Sequence, residues 1–181
     1  MRSFLRFLTL CAVCLAPAGA AWSASKVEID ARISAALESL YEIEPAAREL
    51  AAKASGVLVM PRVYKLGFGL GGEYGEGALL INNQAVQYYR VTAASFGFQL
   101  GGQAKSEVLL FMSSEALDGF RNSDGWEAGV DGAITFIEFG VGKDFDTHTL
   151  QDPIIGFVYG NKGLMYDLSL EGSKFWRIDK N

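Results

Sequence analysis

Cations set beside aromatic residues are the feature of this 181-residue chain most suited to chemistry. They occur twice, in Arg62-Val63-Tyr64-Lys65-Leu66-Gly67-Phe68 and in Lys174-Phe175-Trp176-Arg177. An anionic headgroup needs positive charge and an acyl chain needs apolar cover, so this composition suits a lipid interface. The candidate contacts are Arg62, Tyr64, Lys65, Phe68, Lys174, Trp176 and Arg177, with Trp176 at headgroup depth if both segments reach one surface. The competing assignment buries Tyr64, Phe68 and Phe175 in a core and leaves the cations solvated.

Other constellations carry less. Gly67-Phe68-Gly69-Leu70-Gly71-Gly72 has the spacing of a dinucleotide fingerprint, but that motif needs a helix to open at its last glycine. Here Glu73-Tyr74-Gly75-Glu76-Gly77 follows, so six glycines in eleven residues read as bent β structure. Glu73 and Glu76 have the chemistry of an acid and base pair, yet in a glycine-rich hairpin they serve to keep an edge soluble. Asp144, Asp146 and His148 offer metal-ligating atoms without identifiable further ligands, and read as an acidic loop. Asp124, Glu127 and Asp131 flank glycines as turn residues do. His148 is the single histidine, and neither H-E-x-x-H nor G-x-S-x-G occurs. The residues therefore point to a non-enzymatic protein without metal or cofactor.

The elements that must hold these residues change character once along the chain. From Ser25 to Ser55, Ile29, Ile33, Leu37, Leu40 and Tyr41 recur at helical spacing, and Ser25 with Glu28 forms a capping box. Pro45 divides this stretch into a long helix and a short one. After Gly56 short branched and aromatic runs predict strands at Val57–Met60, Ala78–Ile81, Val86–Val91, Ser95–Leu100, Val108–Met112, Ala133–Val141, Ile154–Tyr159 and Leu164–Leu170. Hairpin turns fall at Asn82-Asn83 and Asn161-Lys162-Gly163, and Ser113–Asn122 suits one short helix. Phe96, Phe98 and Leu100 alternate with polar or small residues, as do Leu164, Tyr166, Leu168 and Leu170, giving strands with one wetter face. Ala133–Val141 and Pro153–Tyr159 are apolar on both faces and belong centrally. The expected fold is α+β: N-terminal helices packed on a strongly bent, glycine-rich antiparallel sheet or small barrel. An outer-membrane barrel fits poorly, because a helical N-terminus and strands apolar on both faces do not match lipid-facing alternation.

Arg2 and Arg6 before the apolar run Phe7–Ala16, then Ala18-Gly19-Ala20, read as a secretory signal peptide over residues 1–21, leaving one domain over 22–181. The apolar run is too short to span a bilayer. Cys11 and Cys14 leave with the signal, so no thiol chemistry remains. The chain is half apolar and 12% aromatic, a composition that excludes disorder. Loss of Arg2 and Arg6 takes its net charge from −5 to −7, and an acidic domain is a poor ligand for nucleic acid. A soluble anionic domain of this kind suits the periplasm.

Four blocks carry a family resemblance. GVLVMPRVYKLGFGLGGEYGEGALL (Gly56–Leu80), ASFGFQLGGQAKSEVLLFM (Ala94–Met112), GWEAGVDGA (Gly125–Ala133) and PIIGFVYGNKGLMYDLSLEGSKF (Pro153–Phe175) resemble, in order, the blocks of the SYLF family. The resemblance implies phospholipid binding in the bacterial envelope and transfers no catalytic residue. In eukaryotic relatives a basic amphipathic N-terminal segment helps bind phosphoinositides. This chain departs from them: Lys26, Arg32, Arg48 and Lys53 are outnumbered by Glu28, Asp30, Glu38, Glu42, Glu44 and Glu49. The partner expected is a phospholipid or membrane surface. The alternative is an envelope scaffold that takes a strand from a protein partner at its glycine-rich edge.

Overall fold

A computed structural model describes residues 24–97, 103–136, 152–160, 163–164, 170 and 172–180, without the side chains of 66–70, 95–97, 103 and 163–164. The signal segment, the Asp144–His148 loop and the alternating side chains after Ser95 and Leu164 lie outside the described residues.

Helix α1 spans Lys26–Ile43 and α2 spans Ala46–Lys53, separated at Pro45 as its rigid ring requires. Ser25 caps α1 by accepting from the Glu28 amide at 3.3 Å. The expected capping box is half made, because the Glu28 carboxylate pairs with Arg32 one turn on. Ser25→Ala should therefore cost about 1 kcal/mol, read by urea denaturation, and an unchanged midpoint would show that the cap does not hold α1. Ile29, Ile33, Ala36 and Leu40 form the buried stripe of α1, with Leu37 and Tyr41 at its margin.

The two strands expected on either side of the glycine tract are one element, β1, running Gly56–Ile81. At about 3.3 Å per residue a straight strand would place Val59 and Gly77 roughly 60 Å apart. Instead they touch: a β-carbon built on Gly77 falls 1.9 Å from the Val59 carbonyl oxygen, and one on Gly75 falls 2.8 Å from that of Arg62. β1 thus doubles back, its first arm pairing with β3 (Gln103–Phe111) and its second with β2 (Gln84–Gly97). The glycines let the arms approach. Asn82 and Asn83, at φ 51° and 62°, make the tight turn into β2.

Helix α3 (Ser114–Asn122) follows β3, and short strands β4 (Trp126–Glu127), β5 (Thr135–Phe136), β6 (Ile154–Gly160), β7 (Gly163–Leu164) and β8 (Lys174–Ile178) complete one sheet. The order is β4-β8-β2-β1-β3-β6-β5, with β7 also on β6. The result is the expected α+β fold with a strongly curled sheet. Two details differ. β5 runs parallel to β6, and it sits at the edge rather than the centre, while residues 137–141 of the expected run lie outside the description. Strand β6 is buried on both faces, as its composition predicts.

Both faces of the central strands are covered. Val57, Val59, Ala78, Leu80, Val108 and Leu110 meet α1 and α2 on one face. Leu58, Met60, Leu79, Leu109 and Phe111 meet α3 and an aromatic group on the other. Phe120 is central to that group, its ring centroid 4.8 Å from those of Tyr89 and Phe111 and 5.5 Å from that of Trp126.

Candidate lipid-binding face

Strand register decides which candidates share a surface, since residues directly opposite in an antiparallel pair project from the same face. Across β1, β2 and β8, Ala78, Tyr88 and Ile178 form a row packed with the helices, where the Tyr88 hydroxyl donates to Asp30 of α1 at 2.7 Å. The next row on that face is Glu76, Arg90 and Trp176, and the one beyond is Tyr74, Thr92 and Lys174. These two rows lie past the start of α1, whose approach at Ala24 ends on the Glu76 carboxylate.

The first arm of β1 adds to this open area. A bulge between Met60 and Val63 keeps Val63 in the core and turns Arg62 and Tyr64 to the helix-bearing face. The Arg62 guanidinium donates to the Tyr64 hydroxyl at 3.4 Å. Tyr64 is 39% exposed and Tyr74 44%, unusual values for large side chains in mid-sheet. Trp176 is half-buried, its indole N–H donating to Thr92 Oγ1 at 3.2 Å. Its ring lies over Gly125, where φ is 89° and any β-carbon would sit 2.6 Å from the ring. The indole is therefore fixed in orientation before any ligand arrives.

Glu76 gathers three donors: the Ala24 amide at 3.1 Å, the Lys180 ammonium at 2.9 Å and the Tyr74 hydroxyl at 2.8 Å. Burial pushes its carboxyl up, but these bonds and the Lys180 charge outweigh burial and hold it below the ordinary value. Tyr74 is pushed up to about 12 by burial, by its bond to Glu76 and by that carboxylate's charge, so it remains a neutral donor. Lys174 is held by Glu127 at 3.0 Å. Among the described residues Arg62 and Arg90 have no carboxylate within 4.0 Å.

The structure brings Arg62, Tyr64, Lys174 and Trp176 onto one face of the sheet. Lys65 and Arg177 project from the opposite side. Lys65 reaches Glu73 at 3.8 Å, and Arg177 reaches the Ser123 carbonyl at 3.5 Å. The Phe68 side chain lies outside the described residues. Tyr74 and Arg90 join the face although sequence reasoning missed them. Arg90 follows Tyr88-Tyr89, the same pairing of cation with aromatics that singled out the other segments.

A buried charge cluster occupies the opposite side of the sheet. Lys105 Nζ lies 2.7 Å from Glu73 and 3.0 Å from Glu107, all nearly sealed from solvent. Burial raises the Glu107 carboxyl above its ordinary value despite the attraction of Lys105. Neither Glu107 oxygen has a well-aligned hydrogen-bond donor, so the ammonium charge is its principal compensation.

Residues 92–181, from mid-β2 to the C-terminus, match the Ysc84 family, described as Las17-binding protein actin regulator. This region belongs to the Ysc84, or SYLF, family. Beta cell expansion factor A of Aeromonas veronii is 28% identical over 163 residues, covering 87% of this chain. The chain spans 58% of that relative's length. The Ysc84 match contains Lys174 and Trp176, while Arg62, Tyr64, Tyr74, Glu76 and Arg90 precede it, so the open face combines residues from within and outside the matched region.

Proposed function

We propose that this Ysc84-family domain is a non-enzymatic phospholipid-binding module of the bacterial envelope, exported by its N-terminal signal, which docks on anionic bilayers through the open sheet face. The observation that carries this reading is the convergence of Arg62, Arg90 and Lys174 with Tyr64, Tyr74 and Trp176 on one uncovered surface of an otherwise acidic chain. Tyrosine and tryptophan rings favour the headgroup layer, and cations beside them meet lipid phosphates. The exposed carboxylates Glu28, Glu38, Glu42 and Glu49 line the helices instead. This division of charge turns the domain so that the cationic rows, beside the start of α1, meet a negative surface. No helix among the described residues is long and apolar enough to cross a membrane.

Flotation of the protein with phosphatidylglycerol vesicles tests the reading. Each cation contributes on the order of 1 kcal/mol at such a surface, so Arg62→Gln/Arg90→Gln/Lys174→Gln should weaken binding about 100-fold at low salt and flatten its salt dependence. Trp176→Ala should weaken it at every salt concentration. A parent protein that does not float, or folded variants that float like the parent, would end this assignment.

A further inference from the structure

Beside the open face a groove of about 420 Å³ runs between α1, the first arm of β1, the start of β3 and the end of β6. Among the described residues its lining contains Arg32, Arg62, Ser39 and Ser106 but no aspartate or glutamate, in a chain where acids outnumber bases 21 to 16. Two of its hydroxyls already donate elsewhere: Ser106 to the Pro61 carbonyl at 2.9 Å and Tyr159 to that of Ala36 at 2.5 Å. Lys105 contributes to the wall, but its ammonium is turned away to Glu73 and Glu107. Among the described residues, the lining donors left for a ligand are the two guanidiniums, one on the helix and one on the sheet, and the Ser39 hydroxyl. Arg32 uses part of its fork on Glu28, whereas among the described residues Arg62 meets only the Tyr64 hydroxyl.

Two planar forks lining one polar groove suit the tetrahedral oxygens of a phosphate, which arginine binds through paired hydrogen bonds. The volume lies in the range of small-molecule sites and exceeds what a bare inorganic ion needs. We infer that this groove is a phosphate-ester site, in which Arg32 and Arg62 hold the phosphate and the remaining volume takes a small polar alcohol such as glycerol. The inference deepens the lipid reading and rests on it for the source of the ester. A glycerophospholipid docked on the open face would place its headgroup in the groove, one lipid to one domain, in addition to the diffuse attraction of the surface.

Calorimetry with sn-glycerol 3-phosphate, alongside flotation with vesicles of equal parts phosphatidylcholine and phosphatidylglycerol, tests it. Glycerol phosphate should bind the parent at one site and compete with the vesicles. Arg32→Gln/Arg62→Gln should weaken that binding at least about 10-fold, Arg32→Lys/Arg62→Lys should restore part of it, and Lys53→Gln on the far helix should match the parent, with circular dichroism confirming each fold. Arginine-dependent binding of glycerol phosphate without vesicle binding would keep the groove, assign it a free phosphate ester and end the lipid reading. Vesicle binding that glycerol phosphate neither accompanies nor inhibits would leave the lipid reading standing and overturn the groove. Glycerol phosphate binding unchanged in the double glutamine variant would also overturn it.

Discussion

Gly77→Ala will cost this protein at least about 3 kcal/mol, the upper end of what overpacking does to a core. The added carbon would stand 1.9 Å from the Val59 carbonyl oxygen and 2.9 Å from Met60 Cα, and both are backbone atoms that no rotamer change can move. Relief requires the two arms of β1 to separate, and their separation breaks both core layers, which meet at Leu58, Leu79 and Val59. For a domain of this length the loss corresponds to a fall in melting temperature of about 10 °C. Gly119→Ala supplies the contrast. Gly119 lies inside α3 with nothing within 4 Å of the new carbon, so alanine there should stabilise by up to about 1 kcal/mol. Equal melting temperatures for the two variants would show that β1 does not need its glycines for close approach.

Lys105→Met should be comparably severe, costing about 3–5 kcal/mol, because it leaves Glu107 buried beside Glu73 without the ammonium between them. The pH dependence follows from the sign of the Glu107 shift. A carboxyl raised above its ordinary value binds its proton more tightly folded than unfolded, so falling pH adds stability until the ordinary carboxylate range is reached. Without Lys105 the carboxyl rises further and this gain grows. Denaturation measured at pH about 8 and about 5 should show the gap between parent and variant narrowing on the acid side. Glu76, whose carboxyl is held low, works in the opposite direction, losing its stabilisation as pH falls through and below the ordinary range. That loss is common to both proteins and cancels in the comparison. Lys105→Met/Glu107→Leu should recover part of the stability, since removing both charges leaves nothing uncompensated at Glu107. A gap independent of pH, or a double variant as unstable as the single one, would mean that the cluster is not coupled.

The helices, the Asn82-Asn83 turn and the β character beyond Gly56 were legible because each rests on local chemistry: an apolar period, a rigid ring, residues that tolerate positive φ. The doubled-back course of β1 was not. Six glycines announce that the backbone does something unusual, but only the placement of Val59 and Arg62 against Gly77 and Gly75 shows that it folds onto itself. For the same reason the sequence could nominate Arg62 and Lys174 without showing which face either occupies. The bulge after Met60 shifts the alternation by one residue, sending Arg62 and Tyr64 to the open face and Lys65 to the other. Lys105 and Glu107 read locally as the polar start of a strand. Their burial depends on partners more than thirty residues away in the chain.

One carboxylate ties down both ends of the fold: Glu76 accepts from the Ala24 amide and from the Lys180 ammonium, which also donates to the Ala24 carbonyl at 3.0 Å. Entry and exit therefore lie side by side, at the rim of the face that carries Tyr74 and Trp176. Such a unit splices into a host chain as a cassette, since its two junctions need almost no separation. Its cargo is not placed at random. A module fused upstream of Ala24 or downstream of Lys180 departs beside Tyr74 and Arg90, where a bulky one roofs over the docking surface and an apolar one lends it a second foothold.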